Sequence, residues 1–343
     1  MNFMKTFNKD FFNLENFIIK KECFLCRKKK DKATDPYQDP YHICYNVNDP
    51  YIHIMGASMI SVLENNPERE IVFHIFTDGY SNNNKEKIIM LAERYHCDCI
   101  LYHLNMKPFE DFHIKVARFS RITYGRIYMP KVLLGEVHRF IYIDADAICI
   151  RPLDILWSLN LEGKAMGAVL EAPDAVAYRA GYLKLKSGRY FNDGIMLVDV
   201  DEWEKQNITE KCFAYQLEPK DRFLGQSQDI LNLVFDGKNY FLPAQYNVYG
   251  GGYRDQDDSV FIHWTGRRKP WQMVLTKFDQ KWREYNAISP WDTITNILPV
   301  KKPENYHDFQ QWGRYQKEQG NFYGYLKGIF WYAWLRTRYK LGI

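Results

Sequence analysis

From residue 41 onward, short continuous apolar runs alternate with longer stretches of helical period. His42–Val47 (HICYNV), Ile71–Asp78 (IVFHIFTD) and Cys99–Leu104 (CILYHL) are too short for helices and rich in β-branched and aromatic residues, so they predict buried strands. Between the first two, Gly56–Asn66 (GASMISVLENN) predicts a helix closed by polar residues and Pro67. Asn82–Cys97 (NNNKEKIIMLAERYHC) predicts an amphipathic helix entered through asparagine caps. Ser120–Leu134 (SRITYGRIYMPKVLL) reads as helical, with Pro130 a kink or boundary. Arg139–Asp144 (RFIYID), Ile195–Val200 (IMLVDV) and Val260–Trp264 (VFIHW) add strands, and Ser227–Phe235 (SQDILNLVF) adds a helix. Such alternation predicts an α/β sandwich on a mostly parallel sheet, whose ligands gather beyond the carboxyl ends of the strands.

After Ser289–Asp292 (SPWD) the alternation is lost, and a small helical appendage is expected. The chain thus divides into an N-terminal basic extension (1–40), a central α/β domain (41–288) and a C-terminal basic-aromatic region (289–343). A net charge of +4 over 343 residues does not call for nucleic acid, but its location matters, because the basic residues gather at the two ends. Lys20–Lys32 (KKECFLCRKKKDK) reads as a solvated segment. From Phe322 the chain mixes aromatics with Lys327, Arg336, Arg338 and Lys340, and Phe322, Tyr325, Leu326, Ile329 and Ala333 share one helical stripe. That pattern suits a helix lying in a membrane interface, and it suits equally a helix packed on the protein body; it is too short in apolar residues to span a bilayer.

The first residues, MNFMKTFNKDFF, show neither a continuous apolar stretch nor a cleavage site, so the protein is expected to stay in the cytoplasm. Seven cysteines, an odd number without scaffold spacing, fit a reducing compartment, and Cys23 and Cys26 read as free thiols.

Three constellations carry chemistry. Asp144 and Asp146 end an apolar strand, one alanine apart, and repel each other unless a cation sits between them. Such a hard oxygen pair suits Mn²⁺ or Mg²⁺. Asn192 and Gly194 are expected in a tight polar turn ahead of a strand, where a backbone can approach a ligand closely. His263 at a strand end, Gly266 in the following turn and Lys269 beyond it offer an imidazole, a close approach and an ammonium to a metal-bound diphosphate.

Together these segments resemble the family 8 glycosyltransferases, and within them the bacterial lipopolysaccharide-core glucosyl- and galactosyltransferases. The resemblance covers Ile43 to Trp291 and rests on FTD at Phe76–Asp78, YIDAD at Tyr142–Asp146, YFN-x-G at Tyr190–Gly194, QDILN at Gln228–Asn232 and H-x-x-G-x-x-KPW at His263–Trp271. It implies a GT-A fold with a small helical C-terminal appendage, a UDP-sugar donor, Mn²⁺ (or Mg²⁺) and retention of anomeric configuration. It implies metal ligands at Asp144, Asp146 and His263 and catalytic roles for Gln228 and Asp146. Donor binding is implied at Val47, Asn48, Tyr51, Arg126, Asp144, Ala145, Glu171, Asn192, Asp193, Ser227, Gln228, Gly266 and Lys269. The implied acceptor is a lipid-linked saccharide met at the cytoplasmic face of the inner membrane.

Three departures from the family pattern involve four positions. Asn48 and Pro50 stand where an Asp and an Asn are usual, Ser227 replaces a carboxylate, and Asp193 replaces a small neutral residue. The sugar therefore stays open among glucose, galactose and N-acetylglucosamine. A protein or a capsule or teichoic glycan is an alternative acceptor. A phosphoryl- or nucleotidyl-transferring enzyme would need a phosphate-gripping loop, and no G-x-x-x-x-G-K-[ST] occurs. A non-catalytic sugar-nucleotide-binding protein would have no need of the full metal set.

Overall fold

The computed structural model describes residues 7–27, 39–114, 120–219, 222–249, 258–266, 268–292 and 302–342. The larger sheet contains β1 (Ile18–Leu25), β2 (Tyr41–Val47), β3 (Ile71–Thr77), β4 (Asp98–Leu104), β5 (Arg139–Ile143), β7 (Met166–Leu170), β8 (Phe191–Asp199) and β9 (Tyr240–Phe241). The smaller contains β6 (Ala147–Cys149), β10 (Val248–Tyr249) and β11 (Phe261–His263). The orders are β1-β4-β3-β2-β5-β8-β7-β9 and β10-β11-β6. The centre, β4-β3-β2-β5, is parallel as expected, while β8 runs antiparallel between β5 and β7.

The continuous apolar runs follow from burial on both faces. In β5, Ile141 and Ile143 enter one core with the helices Ile52–Asn65, Asn82–Tyr95 and Lys277–Ala287, whereas Phe140 and Tyr142 enter a second core beneath the helices Met129–Leu133 and Ser227–Val234. Trp291, fully buried, sits against Gly56 and donates its indole N–H to Asn84 Oδ1 at 2.9 Å, so the segment expected to open the appendage still belongs to the first core.

Several expectations change. The helix Asn82–Tyr95 is capped by Ser81, whose Oγ accepts from Asn84 N, and not by an asparagine. Ser120–Leu134 splits into a 3₁₀ turn, Arg121–Ile127, and the helix Met129–Leu133, with Pro130 in the first turn, where its missing N–H costs nothing. Lys20–Leu25, read as solvated, lies in β1 and pairs antiparallel with β4; its lysines are exposed but paired, Lys20 with Glu22 and Lys21 with Glu136, while Glu22 also binds Lys85 and Tyr80. Residues 28–32 of that run lie outside the described residues. Asn192 and Gly194 lie inside β8, not in a turn ahead of it. All seven cysteines are free.

The C-terminal helices Tyr306–Glu318 and Phe322–Leu341 form a hairpin. They cross at Gly313 and Gly328, so tightly that a Cβ on Gly328 would lie 2.5 Å from Gly313 Cα. Tyr325, expected on the outer stripe, is half-buried, with its carbonyl against Gly313. Phe322, Leu326, Ile329, Phe330, Ala333 and Trp334 remain exposed on one arc. The last helix is therefore apolar on two faces, one of them unfilled. Among the described residues, no helix is long and apolar enough to cross a membrane.

Within the parallel centre, His42 Nδ1 lies 2.9 Å from His74 Nε2, and His74 Nδ1 lies 3.2 Å from the Tyr102 hydroxyl. Desolvation, aided by the nearby Arg27 charge, pushes His42 down to about 4, and desolvation holds His74 well below the usual imidazole value. The unfolded chain takes up these protons first as pH falls, so the stability they confer is complete above about 6.5 and is lost as pH falls, for His42 toward about 4. Urea unfolding across that range is expected to show a slope of up to about 1.4 kcal/mol per pH unit for each histidine. His42→Asn, which cannot titrate, is expected to flatten its share.

Candidate active site

Three strand ends bring the chemistry together. After β5 the chain bends at Asp144-Ala145-Asp146, with Ala147 N donating to Asp144 O at 3.0 Å, and enters the smaller sheet as β6. In that sheet His263 is in register with Ala147, and Trp264 N donates to Asp146 O at 3.1 Å, which sets the imidazole beside Asp146. From the other side Gly194 O in β8 accepts from Asp144 N at 2.7 Å. Gly194 must lack a side chain: a Cβ there would lie 2.2 Å from His263 Cε1 and 2.8 Å from Asp144 Oδ2.

Each carboxylate has one oxygen held by a cation and one turned inward. Arg126 donates to Asp144 Oδ1 at 2.9 Å, an oxygen that also accepts from the Tyr142 hydroxyl at 2.6 Å. Lys269 Nζ holds Asp146 Oδ2 at 2.5 Å. This leaves Asp144 Oδ2 and Asp146 Oδ1 facing His263 Nε2 at 3.6 and 3.3 Å. These three ligand atoms lie within 4.8 Å of one another. Two hard oxygens and an imidazole, with solvent access beside the carboxylates, fit a divalent ion of the Mn²⁺ or Mg²⁺ class that keeps positions for phosphate oxygens.

The electrostatics agree. Burial alone would raise Asp146, but the Lys269 charge and His263 hold it well below the usual carboxylate range. Burial alone would lower His263, yet the hydrogen bond to Asp146 and the charges of Asp146 and Asp144 raise it. Arg126, expected to reach toward the donor, is committed to protein acceptors. Its guanidinium binds Asp144 and Asp193 Oδ2, each at 2.9 Å, and the Thr123 carbonyl at 3.1 Å.

A cavity of about 410 Å³ opens over this cluster. Val47, Asn48, Tyr51, Ala145, Glu171, Asn192, Asp193, Ser227 and Gln228 line it, together with Arg126 and Lys269. Gly266 does not; it is exposed, and Thr265 takes its place on the wall. Pro50 is absent from the wall, and Asp49 turns away to accept from Ser81 N and Asn84 Nδ2. At the far end Glu171 Oε1 accepts from Asn192 at 2.9 Å and from Gln228 at 3.2 Å, and Glu171 Oε2 accepts from the Tyr249 hydroxyl. Asp229 is spent on structure, accepting from Tyr190 and from the backbone of Leu224 and Gly225.

Two of the departures noted above meet in space. Ser227 Oγ donates to Asp193 Oδ2 at 3.0 Å. A carboxylate at both positions would repel, so a hydroxyl at one goes with an acid at the other. Burial pushes Asp193 up to about 6, with Arg126 lowering and Asp144 raising it.

Two cavity-side residues carry no sequence signal. Gln226 holds a positive φ of 54° and, almost fully buried, leaves its Nε2 without a partner among the described residues. Asn247 bridges Asn192 and His263. Neither sits in a periodic or motif-like context, so only the fold reveals them.

The model of glycosyl transferase family 8 matches residues 42–274. A lipopolysaccharide 1,2-glucosyltransferase of Escherichia coli is 29% identical over 316 residues, covering 85% of this chain and 89% of its own. A lipopolysaccharide 1,3-galactosyltransferase of Salmonella typhimurium is 24% identical over 278 residues, covering 76% of this chain and 82% of its own. In fold the chain is similar to the galactosyltransferase LgtC, solved with donor and acceptor sugar analogs, at a TM-score of 0.68 and 20% identity, covering 75% of this chain and 100% of that one.

The Asp193–Ser227 pair makes a reciprocal test. Ser227→Asp is expected to destabilise the fold, and Asp193→Asn combined with Ser227→Asp to recover at least half of that loss. A coupling of about 0.5–3 kcal/mol between the two positions, measured by urea unfolding of both single variants and the double, is the expected outcome.

Proposed function

The chain belongs to glycosyl transferase family 8 and is a glycosyltransferase, and from that premise we propose that it is a retaining, metal-dependent hexosyltransferase. In this reading it moves glucose, galactose or N-acetylglucosamine from a UDP-sugar to a lipid-linked saccharide, the lipopolysaccharide core. The observation that carries the reading is the convergence of Asp144, Asp146 and His263 under a cavity whose wall also carries Glu171, Asn192 and Gln228. A metal-and-diphosphate end and a hydroxyl-binding end then share one pocket.

A divalent ion held by Asp144, Asp146 and His263 supplies positive charge to the diphosphate as the glycosidic bond breaks. Lys269 has spent two of its three N–H groups on Asp146 and on the Trp264 carbonyl, and its third donates to a phosphate oxygen. Asn48, at the end of β2, offers an amide to the base. Glu171 and Asn192 grip sugar hydroxyls, and Gln228 lies beneath the anomeric carbon. An amide is a weak nucleophile, which favours attack from the front face, with the leaving phosphate accepting the acceptor's proton.

The central domain performs this chemistry, and residues 289–343 bring it to the cytoplasmic face of the inner membrane. The exposed arc of Phe322, Leu326, Phe330 and Trp334, with Lys327 and Arg338 at its margin, suits an anionic bilayer surface and a phosphorylated glycolipid. The relatives named for lipopolysaccharide glycosyltransfer support that choice of acceptor.

Incubation with Mn²⁺ and a panel of UDP-sugars is expected to release UDP when acceptor is present, and Asp146→Ala to abolish metal-dependent donor binding. Full activity in that variant would defeat the assignment. For the hairpin, joint replacement of Leu326, Phe330 and Trp334 by serine is expected to weaken sedimentation with anionic vesicles at least about tenfold, with UDP release to a soluble acceptor kept. Unchanged vesicle binding would refute the membrane role.

A further inference from the structure

The site contains a chain of hydrogen bonds whose polarity the backbone dictates. The Gly194 N–H can only donate, and it meets Asn192 Oδ1 at 3.0 Å. At the other end of the same amide, Glu171 Oε1 can only accept, and it faces Asn192 Nδ2 at 2.9 Å. Both contacts orient Asn192 the same way. Asn247, 2.8 Å from Asn192 Oδ1, must therefore present its Nδ2 to that oxygen. Its own Oδ1 is then the atom 3.0 Å from His263 Nδ1, and an oxygen acceptor at that distance requires the imidazole hydrogen on Nδ1. In the neutral ring the lone pair then falls on Nε2, the nitrogen turned toward Asp144 and Asp146, and only the protonated ring has a hydrogen there to give Asp146.

The same Asn192 sends its Nδ2 to Gln228 Oε1 at 3.3 Å, which turns Gln228 Nε2 toward Glu171. One amide thus orients both ends of the cavity. We propose that Asn247 is a positioning residue that holds His263 in its Nδ1–H tautomer and ties that choice to the Asn192 amide orienting Glu171 and Gln228. Asn247 is 6% exposed and is absent from the cavity wall, so it acts through its two neighbours and not by touching a substrate. Residues that orient a ligating histidine through its second nitrogen typically change metal affinity about 10–100-fold when removed. That arm of the inference rests on the metal reading above; the tautomer does not.

The tautomer is read first, on the full chain without metal, by ¹⁵N resonance of labelled imidazoles at a pH well above their titration. His263 is assigned by its loss in His263→Gln. Hydrogen on Nδ1 is the expected result, and hydrogen on Nε2 in the wild type overturns the proposal whether or not any variant folds. Mn²⁺ uptake, followed by the paramagnetic resonance of the free ion, is read second. Asn247→Leu is expected to weaken it about 10–100-fold. Asn247→Asp keeps an acceptor for Nδ1–H and is expected to stay within about threefold of wild type, while its lost donor to Asn192 raises the donor KM. Wild-type uptake in Asn247→Leu, or equal losses in the two variants, overturns the proposal. A wild type that takes up no Mn²⁺ sinks the metal reading alone, and the tautomer then decides.

Discussion

Four carboxylates, Asp144, Asp146, Asp193 and Glu171, converge on one cavity, and their mutual repulsion is the constraint on which the architecture turns. Two unit charges 4 Å apart interact by about 4 kcal/mol at an effective dielectric of 20, so such a cluster persists only where cations are interleaved. The fold supplies them from two directions. The 3₁₀ turn Arg121–Ile127 lays Arg126 between Asp144 and Asp193. The loop after β11 brings Lys269 to Asp146, while β11 itself sets the His263 imidazole beside the inward oxygens. Among the described residues, Glu171 alone of the four has no cation bonded to it and is satisfied by neutral donors from Asn192, Gln228 and Tyr249. That division separates carboxylates bonded to cations from one bonded to neutral donors.

How much of this was legible follows from where side chains reveal their surroundings. The parallel centre was readable, because strands buried on both faces are forced into apolar runs. The acid pair at the end of β5 was readable for the converse reason, since polarity interrupting such a run needs a cause. β1 was not, because an edge strand with exposed lysines has the composition of a solvated segment. The first half of β8 was hidden in the same way: Asn192, Asp193 and Gly194 carry turn chemistry, yet they are buried in a strand whose polar groups are consumed by the site. The pairing of Asp193 with Ser227 spans 34 positions and links a strand to a helix start. Two oddities in sequence become one arrangement only when the chain closes. Asn247 and Gln226 were silent because an amide with no period or motif around it looks like any surface residue.

Among the described residues, the C-terminal hairpin is tied to the catalytic body at the loop after β11. Arg268 binds both oxygens of buried Asp279, at the start of the helix Lys277–Ala287, and also reaches Gln311 on the first hairpin helix at 2.7 Å. Its neighbour Lys269 faces the opposite way, into the cavity. The two adjacent cations therefore tie the first hairpin helix and the Asp146 carboxylate to one stretch of loop, so a substitution that displaces either residue reaches both.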